Sequence, residues 1–335
     1  MRKNILIVAT GGTIASMEDG RGLAPALTGE ELTGYVPEIA GLCDFDIVQP
    51  MNIDSTNMRP RDWLRIAEAI RQRYDAYDGF VVLHGTDTMA YTAAALSYLI
   101  QGSPKPIVLT GSQRPMANPF TDAKVNLYQS MLYACDDASR DVCVVFGGQV
   151  IAGTRARKQR TMSDNAFISL NFPAVALVRN KRIVRAGMPA PAGSGGVRFS
   201  DALNERVFVL KLTPEMDPGI FDVLAGSYDA VIMETFGIGG IPEYDNGSYK
   251  RAIFDWVDAG RTLVLTTQVP EEGLDLGVYE VGRDYLEHPG ILRGGDMSTE
   301  ALVAKTMWAL GQTSDPGRLA QLFYQVINCD RLPED

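Results

Sequence analysis

The chain has 335 residues, of which 46% are hydrophobic and 21% charged, and a formal net charge of −10. Its length exceeds what one core usually serves, and its composition is that of ordinary globular domains, so two domains are expected. The acidic balance opposes a nucleic-acid surface, which needs clustered Lys and Arg, and no apolar run approaches the roughly 20 residues of a membrane-spanning helix. The apolar residues 5–9 behind Arg2 and Lys3 are too few for a signal peptide and run into Thr-Gly-Gly-Thr without a cleavage segment, which makes a cytoplasmic location the default. Cys43, Cys135, Cys143 and Cys329 form no C-x-x-C pair, and only His84 and His288 could join them, so reduced thiols and no metal are expected.

In chain order, residues 4–9 read as a strand ending in Thr10-Gly-Gly-Thr-Ile14, and residues 45–48 as a second ending in Asn52-Ile-Asp-Ser-Thr-Asn57. A helix begins near Arg59, with Pro60 in its first turn and Trp63, Ile66, Ala67 and Ile70 on one face. It leads to a strand at 80–83 that breaks at His84-Gly-Thr-Asp-Thr-Met89 before an alanine-rich helical pattern. Thr86 and Asp87 thus occupy a strand-to-helix turn, where open α/β sheets bind ligands; a plain helix cap explains the same residues. Residues 107–110 form another strand, closed by Gly111-Ser-Gln-Arg-Pro115. Val125, Tyr128, Leu132 and Cys135 mark the next helix, and a strand follows at 142–146. This alternation predicts an α/β fold whose larger N-terminal domain carries a mostly parallel, doubly wound sheet.

Past Phe146, glycines punctuate short β-like segments, with hairpins around 175–178 and 183–184. The basic run Thr154-Arg-Ala-Arg-Lys-Gln-Arg160 reads by itself as a solvated loop. Met188-Pro-Ala-Pro-Ala-Gly-Ser-Gly-Gly196 has the composition of a linker. The expected division is therefore residues 1–187, a linker at 188–204, and a smaller C-terminal α/β domain at 205–335. There the alternation restarts, with strands at 207–212, 230–234 and 262–266 and closing helices near 298–310 and 316–327.

Thr13, Ser55, Thr86, Asp87 and Ser112 each follow a strand of the same expected sheet and should converge. Gly-Gly-Thr lacks the spacing of a phosphate loop or of a dinucleotide fingerprint. Hydroxyls, one carboxylate and glycines that let backbone N–H groups approach a ligand suit a small zwitterion and acyl transfer.

In combination and in order, Thr10-Gly-Gly-Thr-Ile14, Asn52-Ile-Asp-Ser55, His84-Gly-Thr-Asp-Thr-Met89, Leu109-Thr-Gly-Ser112, the lysine loop at 153–158 and Gly294-Gly-Asp-Met297 resemble the bacterial-type L-asparaginases, most closely the cytoplasmic type I branch. The resemblance implies hydrolysis of the L-asparagine side-chain amide by a homodimer or homotetramer, without metal or cofactor. It implies Thr13 as nucleophile, with Thr86, Asp87 and Lys158 as the supporting cluster. Ser55 and Asp87 then bind the substrate's carboxylate and amino groups, with Thr56 and Ser112 completing the substrate site. Thr56 stands where periplasmic relatives often carry glutamine, and asparagine is expected to be preferred to glutamine. A lysine acts as a base only if burial or neighbouring cations depress its pKa, and Arg155, Arg157 and Arg160 are the candidate cations, with Lys158 dipping into the site between solvated arginines.

Ten residues after the nucleophile the family usually places a tyrosine on a mobile loop, where this chain has Leu23, which cannot relay a proton. Activation of Thr13 is therefore expected from the Thr86 and Lys158 side, with Leu23 as an apolar cover and Tyr35 as a packed aromatic. Two other readings stand beside this one. The first is the glutaminase-type subunit of a tRNA-dependent amidotransferase, whose extra N-terminal domain finds no room ahead of Thr13. The second is a non-catalytic amino-acid-binding protein on the same scaffold.

Overall fold

The computed structural model describes residues 2–12, 18–19, 22–23, 31, 34–185, 196–277, 284–285, 288 and 290–332. The chain divides into two compact units: residues 1–201 with 327–329, and residues 202–326 with 330–335.

The first unit is built on β1 (Asn4–Ala9), β2 (Asp44–Val48), β3 (Gly79–Leu83), β4 (Pro106–Thr110) and β5 (Asp141–Phe146), all parallel, in the spatial order β2-β1-β3-β4-β5. After β5 the chain turns back. The strand β6 (Gln149–Ala152) pairs antiparallel with β5, while β7 (Ala156–Lys158) and β8 (Phe167–Ser169) form a separate ribbon. The strands β9 (Ala176–Arg179) and β10 (Arg182–Val184) then extend the sheet beyond β6, making eight strands. The inner strands β1, β3, β4 and β5 carry continuous apolar runs because both faces are covered, whereas the edge strand β2 has Asp44 and Asp46 exposed. On one face Ile5, Ile7, Val81, Leu83, Val108 and Val145 join a core with Ala123, Leu127 and Met131. Leu6, Val8, Phe80, Val82, Ile107 and Leu109 alternate to the opposite face and are equally buried.

Three helices cross between these strands: α1 (Pro60–Arg71), α2 (Met89–Leu99) and α3 (Ala123–Ala134). At the start of α1, Asp62 Oδ2 accepts the Arg59 N–H at 3.1 Å, and Trp63, Ile66, Ala67 and Ile70 form its buried face, as their spacing predicts. Of the residues that mark α3 in the sequence, Tyr128, Leu132 and Cys135 pack half-buried against the core of this unit. Val125 is 55% exposed, and Asn126, Leu127, Ser130, Met131 and Ala134 are buried instead. Asn126 is buried because its amide donates to Gly111 O at 3.0 Å and accepts the Gly147 N–H at 3.1 Å, and Ser130 donates to Asn126 O at 2.7 Å. Of the expected linker, residues 188–195 lie outside the described residues, and Arg198–Phe199 pairs antiparallel with Ile100–Gln101.

The second unit holds a parallel sheet of β11 (Val207–Lys211), β12 (Ala230–Thr235), β13 (Thr262–Thr267) and β14 (Ile291–Arg293), in that order. Its helices are α4 (Ile220–Ala225), α5 (Tyr244–Asp258), α6 (Thr299–Gln312) and α7 (Pro316–Tyr324). Ser298 and Asp315 cap α6 and α7 by accepting the Ala301 and Arg318 N–H groups at 3.1 and 2.7 Å. The strand β14 escapes the sequence reading because it has three residues and adjoins Gly290 and Gly294. Among the described residues no helix is long and apolar enough to cross a membrane.

Candidate functional site

The spatial order β2-β1-β3-β4 sets the polar turns after these strands side by side at the carboxyl end of the sheet. Backbone bonds tie the strand ends together: Thr10 N donates to Leu83 O at 3.0 Å, Ile53 N to Thr10 O at 3.0 Å, and His84 N to Thr110 O at 2.9 Å. Beyond them the turns touch through glycine. Gly12 sits at φ +83°, and a Cβ there would stand 2.4 Å from Gly85 N; a Cβ on Gly85 would stand 2.5 Å from Ser55 Oγ. Any side chain at either position would force the three turns apart. The backbone that leads into Thr13 is therefore packed on the His84-Gly85 segment, although Thr13 itself lies outside the described residues.

Lys158 ends β7, and its ammonium donates to Thr86 Oγ1 at 2.8 Å and to Asp87 Oδ1 at 2.6 Å. Thr86 is buried, whereas the Asp87 side chain is 56% exposed and that of Lys158 17%. The Thr86 hydroxyl proton goes to Gln113 Oε1 at 3.2 Å. Ser55 is buried in a short helical turn, Ser55–Asn57, whose shape is set by Asp54: its Oδ1 accepts both the Thr56 N–H and the Thr56 hydroxyl at 2.9 Å. Thr88 Oγ1 donates to Ser55 O at 2.8 Å, which joins that turn to the Thr86 turn. Ser112 is buried, and its hydroxyl donates to Arg114 O at 2.6 Å. Asp122 then holds the segment by accepting the Gln113 and Arg114 N–H groups at 2.9 and 3.0 Å.

The structure thus brings Ser55, Thr86, Asp87, Ser112 and Lys158 to neighbouring turns, with Thr56 exposed at the rim. It differs from the expected basic loop at Arg155, which is wholly buried rather than solvated. Its Nε donates to Cys329 O at 2.5 Å and its guanidinium lies 5.2 Å from the centroid of Phe172. Arg160 is exposed and donates to Asn165 O at 2.9 Å. Leu23 pairs through its backbone with Glu18, and its side chain lies outside the described residues. Tyr35 is half-buried against the core of the first unit, with Lys124 Nζ 6.0 Å from its ring centroid.

Sequence reading missed three supporting groups. Asp54 was legible as the start of an Asx turn. Gln113 and Asp122 carried no signal, because their partners lie across the fold or eight to nine residues away. His84 is sealed beneath the turn. Its Nδ1 is 2.7 Å from Gly85 O and its Nε2 2.9 Å from Thr92 Oγ1, and burial pushes its pKa down to about 4 against the opposing effect of the Gly85 bond. A neutral imidazole whose two nitrogens are both occupied braces the Gly85 turn.

Such an arrangement offers an ammonium beside a buried hydroxyl, an accessible carboxylate, and backbone turns in close contact, which suits capture of a charged small molecule next to an oxygen nucleophile. Residues 4–189 match the family model described as Asparaginase, N-terminal, and residues 206–323 the model described as Glutaminase/Asparaginase C-terminal domain. The L-asparaginase of Thermococcus kodakarensis is 36% identical over 316 residues, covering 93% of this chain and 94% of that protein. A solved structure of a thermostable L-asparaginase from that organism is similar at a TM-score of 0.90 and 34% identity, over 99% of this chain and 100% of the other. L-asparaginase 1 of Escherichia coli is 32% identical over 342 residues, 100% of this chain and 99% of that protein. A glutamyl-tRNA(Gln) amidotransferase subunit of Metallosphaera sedula is 37% identical over 327 residues, 93% of this chain and 73% of that protein.

Proposed function

This chain belongs to the asparaginase family, and from that premise we propose that it hydrolyses the side-chain amide of L-asparagine to L-aspartate and ammonia. The observation that carries the reading is the Lys158 ammonium bonded to both Thr86 and Asp87 in a turn packed against Gly12, the residue before Thr13.

In this reading Thr13 Oγ1 attacks the carboxamide carbon, and its proton passes to the Thr86 and Lys158 pair. The tetrahedral oxyanion is held by backbone N–H groups of the glycine turns, each worth about 3 to 4 kcal/mol when aimed at the developing charge. Collapse breaks the C–N bond, the leaving nitrogen takes the proton from Lys158, and ammonia departs from a β-aspartyl ester. Water then attacks the ester and restores the Thr13 hydroxyl. Asp87, open to solvent, takes the substrate α-ammonium; Ser55, with Thr56 next to it in the chain, takes the α-carboxylate, and Ser112 completes the substrate site. No step calls for a metal or cofactor. Glutamine, one methylene longer, is disfavoured by about 1 to 3 kcal/mol in a pocket fitted to asparagine.

Asparagine-dependent ammonia release tests the reading: Thr13→Ala should abolish it while the variant stays folded. Near-normal turnover in that variant would remove Thr13 from the chemistry. The identity to the amidotransferase protein favours a second reading, a glutaminase subunit serving a tRNA-bound reaction. The net charge of −10 weighs against it. Glutamine hydrolysis that rises on addition of tRNA would support that alternative. Cytoplasmic residence and assembly as a homodimer or homotetramer complete the proposal, and light scattering that reports a monomer would overturn the latter.

A further inference from the structure

Outside the candidate site, one flank of α3 carries a stripe of its own. Lys124, Val125, Tyr128 and Gln129 recur at i, i+1, i+4 and i+5, beside the face by which Leu127 and Met131 join the core. The stripe borders a groove of about 490 Å³, bounded elsewhere by residues 35–38 and by the hairpin turn between β9 and β10. The buried Val36 and Val178 line it, and so does Val125, which is 55% exposed. Lys124 Nζ lies 6.0 Å from the Tyr35 ring centroid, and Lys181 Nζ 5.6 Å from that of Tyr128. Neither ammonium has an ion pair or hydrogen bond among the described residues, and Glu38 is the one carboxylate among those lining the groove.

Two features of this groove serve no evident purpose in the fold. Gln129 Oε1, on its wall, is buried with no hydrogen-bond partner among the described residues, and an amide carbonyl sealed from water is ordinarily satisfied by a donor. Asn180 and Lys181 make the two-residue turn at φ +47° and +62°. Asn accepts the left-handed region, but the second position of such a turn favours Gly, so Lys181 holds its ammonium at the groove against backbone strain. We propose that the groove binds a small aromatic monoanion with a ring N–H, of the indole carboxylate class.

Each part of that ligand answers a group on the groove. Two ammoniums and one carboxylate leave a net charge of +1 in a chain of −10, so an anion of single charge is the complement. The two tyrosines and Val125 suit a flat apolar body, and about 490 Å³ lies in the range of small-molecule sites. A ring N–H supplies the donor that Gln129 Oε1 lacks. L-Asparagine and L-aspartate have no such body, so this site is distinct from the one around Lys158.

The test titrates indoleacetate into the full chain by calorimetry. Saturable binding at one site is expected, unaffected by L-aspartate, whereas tryptamine, which carries an ammonium on the same ring, should bind at least about tenfold more weakly. The N-methyl analogue of indoleacetate, which lacks the N–H, should also bind about tenfold more weakly, and this difference should vanish in Gln129→Leu. Lys181→Gly should lose about tenfold in affinity while its Tm does not fall, because glycine relaxes the turn. Absence of saturable heat, equal binding of tryptamine, a methyl effect that persists in Gln129→Leu, or undiminished affinity in Lys181→Gly would each overturn the proposal. Displacement by L-aspartate would do so too, by placing the ligand in the candidate site.

Discussion

Each unit of this chain contains a lysine bonded to an aspartate, and the two pairs differ in almost everything else. In the first unit Lys158 meets Asp87 at 2.6 Å, with side chains 17% and 56% exposed. In the second, Lys305 on α6 contacts Asp330 with neither side chain exposed, and its ammonium also donates to Gln325 O at 2.7 Å and lies 5.8 Å from the ring centroid of Phe323. Burial lowers the Lys305 pKa to about 8, against the attraction of Asp330. A pair removed from water must find its partners inside the protein, and once they are found nothing is left for a ligand. The open pair contributes little to folding, about 0 to 1 kcal/mol for exposed ion pairs, but Asp87 keeps acceptor capacity toward solvent. Exposure rather than the bond itself separates a binding group from a structural one.

The comparison breaks most sharply at Lys158. Lys158→Met should lower kcat about 10⁴-fold, roughly 5.5 kcal/mol in the barrier, while the urea midpoint stays near that of the parent. A variant that unfolds more readily yet turns over normally would place the two pairs in one class. Lys305→Met should do the reverse. It strands the buried Asp330 charge and costs about 3 to 5 kcal/mol of stability, with ammonia release per folded molecule unchanged; adding Asp330→Leu should restore most of the loss. Denaturant unfolding alongside an activity assay reads both effects.

His84 extends the contrast to pH, because it is a sealed group lying directly beneath the open pair. Its folded pKa of about 4 lies below the ordinary histidine value of 6.5, so between those values the unfolded chain binds the extra proton. Stability from this group is complete above pH 6.5 and is lost as pH falls toward 4, on the order of 3 kcal/mol. Unfolding free energies across that window should show the slope, and a His84→Gln variant should lack this component. The smallest effect is expected at Tyr35, where Tyr35→Phe should leave kcat within about twofold. A hundredfold fall, about 2.7 kcal/mol, would show that its hydroxyl replaces the one Leu23 lacks.

The buried strands and the face of α1 were legible because apolar residues carry their periodicity openly. The burial of Asn126 on α3 was not, since its amide bonds to Gly111 O and to the Gly147 N–H, both far away in sequence. The candidate residues could be named one turn at a time as strand endings rich in hydroxyls. Nothing in the spacing says that Gln113 receives the Thr86 proton or that Asp122 holds Gln113. Those are contacts between elements, and they follow from strand order.

By itself the sequence determined the α/β alternation, the succession of polar turns and the family resemblance, because each rests on residues within a few positions of one another. Only the tertiary structure decided that β1 runs between β2 and β3, so that Gly12, Ser55 and Gly85 touch. It alone decided that Arg155, in a run that reads as a solvated loop, is sealed while Lys158 three residues on reaches Thr86 and Asp87. A residue's hydropathy sets what burial costs, but whether it is buried depends on every element packed around it, and no local stretch of sequence contains that sum.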